Sequence, residues 1–188
     1  MDIDDARADG AAEDERLVLR CQLGERDAFD PLIARWHPLL WRYALRLTND
    51  ADAAADATQE VWVRVLRGLP SLREAAKFRA WLFGIARRVL MDRLRGQYAE
   101  PRMEQLDVDV IDAVAAEETG PDDVALLEAE VGRLPVLERE VLVLFYLREL
   151  SLNDIASIAA IPVGTVKSRL FRARQMLRRQ LQQKGMDP

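Results

Sequence analysis

The sequence predicts an all-α chain: two small helical domains, an N-terminal bundle and a C-terminal helix-turn-helix, joined by an acidic linker. Three observations carry that prediction. Apolar residues recur at helical spacing along nearly all of the 188 residues, and no strand-like alternation persists beyond about five. Pro101, Gly120 and Pro121 interrupt the pattern among many acids, which marks a linker. The charges divide at the same places: residues 1–15 hold 7 acids against Arg7, 16–96 hold 15 bases against 9 acids, 97–131 hold 11 acids against Arg102, and 132–188 hold 10 bases against 5 acids. A net charge of −5 therefore conceals two basic blocks, the pattern of two modules that meet a polyanion.

Each element follows in order. Residues 1–15 read as an acidic disordered tail. Helices are expected over about 15–23, 28–47, 51–66 and 78–95, broken at Gly24-Glu25-Arg26-Asp27, Thr48-Asn49-Asp50 and Gly68-Leu69-Pro70-Ser71, which makes a bundle of residues 16–96. Residues 97–121 form the linker. Helices near 122–134, 135–147, 152–159 and 163–183 then build a second domain, 122–188.

Composition excludes several classes. With 49% hydrophobic and 31% charged residues, 9 Gly and 8 Pro, the chain is neither collagen-like nor of low complexity. The one cysteine, Cys21, has no internal partner and reads as a buried small hydrophobe. The one histidine, His37, cannot build a His/Cys zinc site and reads as a partly buried surface residue. No apolar run reaches the roughly 18 residues of a membrane span, and Met1-Asp2-Ile3-Asp4-Asp5 is acidic where a signal peptide is basic, so a cytoplasmic protein is expected. Without a metal constellation or a glycine-rich phosphate loop, no cofactor or metal is expected, and an all-α hydrolase or transferase ranks last.

The sharpest local signal lies near the C-terminus. Ser151 stands as an N-cap before a short helix, and Ala160-Ile161-Pro162 separates that helix from a longer one, which is helix-turn-helix spacing. Ala156 allows close crossing, while Ile155, Ile158, Val163 and Val166 fill the angle. At about 100° per residue, Val163, Val166, Leu170, Ala173, Leu177 and Leu181 form an apolar stripe. Thr165, Ser168, Arg172, Gln175 and Arg179 lie opposite, on the face that suits a major groove, with Lys167, Arg169, Arg174 and Arg178 flanking it at phosphate positions.

Leu150-Ser151-Leu152, Asp154-Ile155-Ala156 and the string from Pro162 to Arg174 resemble the promoter-reading region four of extracytoplasmic-function sigma factors of bacterial RNA polymerase. That resemblance implies contact with the minus-thirty-five element by Lys167, Ser168, Arg169, Phe171 and Arg172, to which the helical face adds Thr165 and Gln175. Upstream, Ala54, Ala57, Thr58, Val61, Trp62 and Val65 fall on one helical face and Asp56, Gln59, Glu60, Val63, Arg64 and Arg67 on the other. The stretch from Asp56 to Val65 resembles region 2.2 of the same family, which implies that Asp56, Gln59, Glu60, Val63 and Arg64 face core polymerase. Phe78, Leu82, Ile85 and Val89 have core spacing, with bases and aromatics around them that suit an unpaired strand. The string from Phe78 to Arg95 resembles the minus-ten melting segment, which implies roles for Arg73, Lys77, Arg79, Trp81, Arg87 and Arg88, with residues 69–77 as a loop that captures a flipped base. Two departures stand out: Arg88 occupies a position where many members have Asn, and residues 71–77 lack a glycine.

The reading is thus a sigma factor, not an enzyme, that binds core RNA polymerase and promoter DNA, is monomeric when free and is held by an anti-sigma factor. Its acidic connector is expected to thread a basic polymerase channel. The alternative is a conventional dimeric helix-turn-helix regulator acting without polymerase, although that leaves residues 16–96 without a task.

Overall fold

The computed structural model describes residues 3–95, 121–147 and 150–184, and among them there is no strand. The chain divides into two compact units, Met1–Ala99 and Glu100–Pro188. The expected linker, residues 97–121, lies outside the described residues except for Pro121.

Unit one holds α1 (Ile3–Gln22), α2 (Phe29–Thr48), α3 (Ala51–Gly68) and α4 (Phe78–Arg95). α1 begins at Ile3, so residues 3–15 of the stretch expected as a disordered tail are helical; Ala6, Ala8, Ala11 and Ala12 are strong helix formers, and early acids suit the positive end of the helix dipole. Asp14 then ties α1 to α2, accepting from Trp36 Nε1 at 3.0 Å and pairing with Arg35 at 2.6 Å. Burial pushes the Asp14 carboxyl up, against the pull of those two partners. α2 ends at Asn49, whose φ of 54° is left-handed, a conformation asparagine tolerates. Asp50 caps α3 by accepting from the Asp52 and Ala53 amides, both at 2.9 Å.

The core of this unit is aromatic. Phe83 packs edge-on against Trp36 and against Tyr43, at ring separations of 6.3 and 5.3 Å, and Trp36 meets Phe78 at 5.9 Å. α4 buries Phe78, Leu82, Ile85 and Val89 as expected, and also Phe83, Ala86, Leu90, Met91 and Leu94, because it contacts α1, α2 and α3 together. Cys21 is buried, and desolvation pushes its thiol up, away from reactive thiolate. His37 is exposed; its Nδ1 accepts from Trp62 Nε1 at 3.2 Å.

Unit two holds α5 (Pro121–Arg133), α6 (Val136–Leu142), α7 (Leu152–Ala159) and α8 (Val163–Gln183). The helix expected over 135–147 passes at Val143–Leu147 into a π turn. The end of the acidic block lies in α5, the helix expected over about 122–134: Glu130 is buried and pairs with Arg133 and Lys184, and the Lys184 ammonium, then Arg133, hold its carboxyl below the usual range. Val141, Val143, Leu144, Ile155, Val166, Leu170 and Ala173 form the core.

Candidate functional site

Three surfaces carry the residues singled out from the sequence. On α3, the apolar face Ala54, Ala57, Thr58, Val61, Trp62 and Val65 is buried, which turns Asp56, Gln59, Val63 and Arg64 to solvent. Glu60 is half-buried between two guanidiniums, Arg64 at 2.6 Å on its own helix and Arg93 at 2.8 Å from α4. Arg93, then Arg64, holds the Glu60 carboxyl below the usual carboxylate range. Asp56, Gln59, Glu60, Val63 and Arg93 line an open groove. Arg93 is the residue sequence reasoning missed, because nothing local pairs it with a glutamate 33 residues earlier.

The second surface is the connection from α3 to α4. It consists of two 3₁₀ turns, Leu69–Ser71 and Ala75–Lys77, whose Leu69 and Ala75 point inward. Arg73 and Lys77 are exposed, and Lys77 pairs with Glu74 at 2.8 Å. Along α4, Arg88 is exposed while Arg79, Trp81 and Arg87 are half-buried. Trp81 is neither fully core nor free: it stacks obliquely on Phe78 at 6.1 Å and covers Gly68, where a Cβ would sit 3.0 Å from its ring.

The third surface is the α7–α8 pair. Ser151 Oγ accepts from the Asp154 amide at 3.1 Å, and the Asp154 carboxylate accepts from the Ser151 amide at 3.3 Å, a reciprocal capping box. α7 stops at Ala160 with a φ of 53°, and Pro162, as N-cap, accepts from the Thr165 and Val166 amides. On α8, Lys167, Phe171 and Gln175 are exposed, Thr165, Ser168 and Arg172 half-buried. Arg172 pairs with Glu138 of α6 at 3.4 Å. Arg169, expected on the flank of the groove face and, by the resemblance, in contact with the minus-thirty-five element, is instead only 6% exposed. It stands three residues after Val166 and directly before Leu170, which rotates it onto the buried stripe and away from the outward face. Arg174 also leaves the flank, lying over the Phe145 and Tyr146 rings at 5.9 and 5.3 Å.

This geometry meets two family models in chain order: Sigma-70 region 2 over residues 32–100 and Sigma-70 region 4 over residues 125–177. The chain is 34% identical to the ECF RNA polymerase sigma factor SigL of Mycobacterium tuberculosis, over 96% of this chain and 98% of the relative. The chain belongs to the extracytoplasmic-function sigma factors. It is also 32% identical to the RNA polymerase sigma-H factor of Pseudomonas aeruginosa, over 90% of this chain and 94% of that protein. Its fold is similar to that of the sigma factor RpoE of Bartonella quintana, solved with the anti-sigma factor NepR, at a TM-score of 0.65 and 24% identity over 82% of this chain and 96% of that one.

As a sigma factor the protein binds core RNA polymerase, recognises promoter elements and assists their melting; it is a specificity subunit of transcription initiation, not an enzyme. A regulator acting without polymerase is not favoured, since it would leave the region 2 match over 32–100 unexplained. Among the described residues no helix is long and apolar enough to cross a membrane.

Proposed function

We propose that the three surfaces divide the work of this sigma factor. Asp56, Gln59, Glu60, Val63 and Arg64, joined by Arg93, form the face for core polymerase: a groove of mixed charge around exposed Val63 suits a partly polar interface. Arg73, Lys77, Arg79, Trp81, Arg87 and Arg88 serve the minus-ten strand, with the two-turn connection as the base-capturing loop. Thr165, Lys167, Ser168, Phe171, Arg172 and Gln175 read the minus-thirty-five duplex.

The observation that carries this reading is the orientation of α8. Its first turns bury Val166, Arg169 and Leu170 and leave Lys167, Phe171 and Gln175 outward, on a helix anchored by a capped partner. In-vitro transcription with core polymerase tests it: promoter-specific initiation is expected, and Lys167→Ala or Gln175→Ala lowers initiation through the upstream element while a premelted template lacking that element is unaffected. Equal loss on both templates would overturn the assignment of α8.

The protein is expected to act in the cytoplasm as a monomer when free of polymerase, and to be sequestered by an anti-sigma partner. Supporting the last point, RpoE was solved in such a complex. Size-exclusion chromatography coupled to light scattering, with and without a co-purified partner, tests both states.

A further inference from the structure

Residues 69–77 lack the glycine that a flexible capturing loop would use, yet the backbone is well organised by another route. Gln22, the last residue of α1, donates from one amide nitrogen to two carbonyls of this connection, Leu69 O at 2.9 Å and Leu72 O at 2.7 Å. Both neighbours are acceptors, so only the NH₂ end of the amide satisfies them, and the orientation of the side chain is unambiguous. The Leu72 amide also donates to Leu69 O at 3.1 Å, so the two carbonyls and one amide form a closed knot at the start of the loop.

The clamp is itself anchored. Gly24 follows with a φ of 86°, a conformation that favours glycine, and its amide returns to Cys21 O at 3.0 Å. Arg20 holds the outgoing chain through Glu25 and Asp27, both at 2.7 Å. Below the loop, Leu69 and Ala75 are buried, while Ser71, Arg73, Glu74, Ala76 and Lys77 remain on the outside. A chain segment fixed at its start by Gln22 and seated on two buried residues presents its exposed groups in one arrangement, before any strand arrives.

We infer that Gln22 is a positioning residue for minus-ten recognition, holding the Leu69–Lys77 connection in the shape that captures an unpaired base. It touches no DNA and acts through the loop, supplying by side-chain hydrogen bonds the order that binding would otherwise have to impose. The inference rests on the reading of residues 69–77 as the strand-capturing loop.

The test uses holoenzyme reconstituted from core polymerase and full-length chain. The probes are fluorescent single-stranded oligonucleotides carrying the minus-ten element and the same strands with each base replaced in turn. Gln22→Met keeps length without donors, and Gln22→Glu turns a carboxylate toward two carbonyl oxygens. Wild type prefers its own base at one position or more. Both variants lower that preference about five- to tenfold, as expected for the loss of two net hydrogen bonds, with unchanged affinity for core polymerase and for upstream duplex. Amide exchange at Leu72 in the full chain speeds up in Gln22→Met while exchange in α3 does not. Wild-type preference in both variants overturns the role of Gln22 and leaves the loop reading standing. Absence of any base preference in wild type overturns the loop reading and the inference with it. Loss of core binding in both variants overturns the inference in favour of a general role in the fold.

Discussion

Glu60 separates what the proposed polymerase-docking surface does from what it needs in order to fold. Its carboxylate bridges α3 to α4 through Arg64 at 2.6 Å and Arg93 at 2.8 Å. The side chains are 35%, 45% and 38% exposed respectively, so solvent screens both pairs, and each contributes about 0.5 kcal/mol rather than the value of a buried pair. Glu60→Gln is therefore expected to cost about 1 kcal/mol, a fall of about 4–8 °C in the melting temperature of a domain of this size. The cost fades in about 1 M salt, where the screening length is near 3 Å. Because Arg93 and Arg64 lower the folded-state pKa of Glu60, the contribution is present above the ordinary carboxylate value of 4.5 and is lost as pH falls through the lowered one. The gap between Glu60→Gln and wild type should accordingly close on acidification below that value. Asp56 lies one turn away, exposed, at the same groove. Asp56→Arg should change stability by less than about 0.5 kcal/mol yet weaken assembly with core polymerase about tenfold, by placing the wrong sign at an interface. Circular-dichroism melts at two salt concentrations and a polymerase pull-down read these effects. A wild-type melt for Glu60→Gln at low salt refutes the bridge, and wild-type assembly by Asp56→Arg refutes the docking face.

Arg172→Ala should relax base choice at the upstream element by about 1 to 3 kcal/mol, whereas exposed Arg178→Ala should weaken all duplexes alike and flatten the salt dependence, both measured by anisotropy titration. Equal losses on cognate and scrambled duplexes for both variants refute that division. Because Glu138 holds Arg172 at 3.4 Å in the free protein, Glu138→Gln should raise duplex affinity a few-fold with a steeper salt slope; unchanged affinity would mean that the pair does not compete with DNA. Ala160→Gly should raise the melting temperature of the second unit by the equivalent of about 0.5–1 kcal/mol, since alanine at a φ of 53° carries a strain that glycine does not; a lower melt contradicts the left-handed cap.

Local patterns account for what was legible in the sequence. The helix-turn-helix could be read because each cue acts within a few residues: Ser151 and Asp154 cap each other, Pro162 starts α8, and the spacing of Val166, Leu170 and Ala173 is a property of one helix. The outward row Asp56, Gln59, Val63 and Arg64 was legible for the same reason, as the complement of a buried apolar face. The helix over residues 3–15 was not legible because acidity suggests disorder, whereas α1 is fastened by Asp14 to Arg35 and Trp36, more than 20 residues along the chain.

Amphipathic periodicity, with its capping, proline and charge breaks, thus determined by itself that this chain is helical, interrupted by an acidic stretch, and carries a helix-turn-helix pattern near its C-terminus. Only the tertiary structure decided which polar side chains are free to act. Arg169 and Arg174 carry the same charge as their exposed neighbours, but one is buried in the core and the other lies over Phe145 and Tyr146. Arg93 joins the groove, Gln22 reaches the loop and Glu138 restrains Arg172 through contacts between helices. Periodicity places a residue on a face of its own helix, whereas its partners depend on which other helix covers that face, and that is set by packing between segments far apart in the chain.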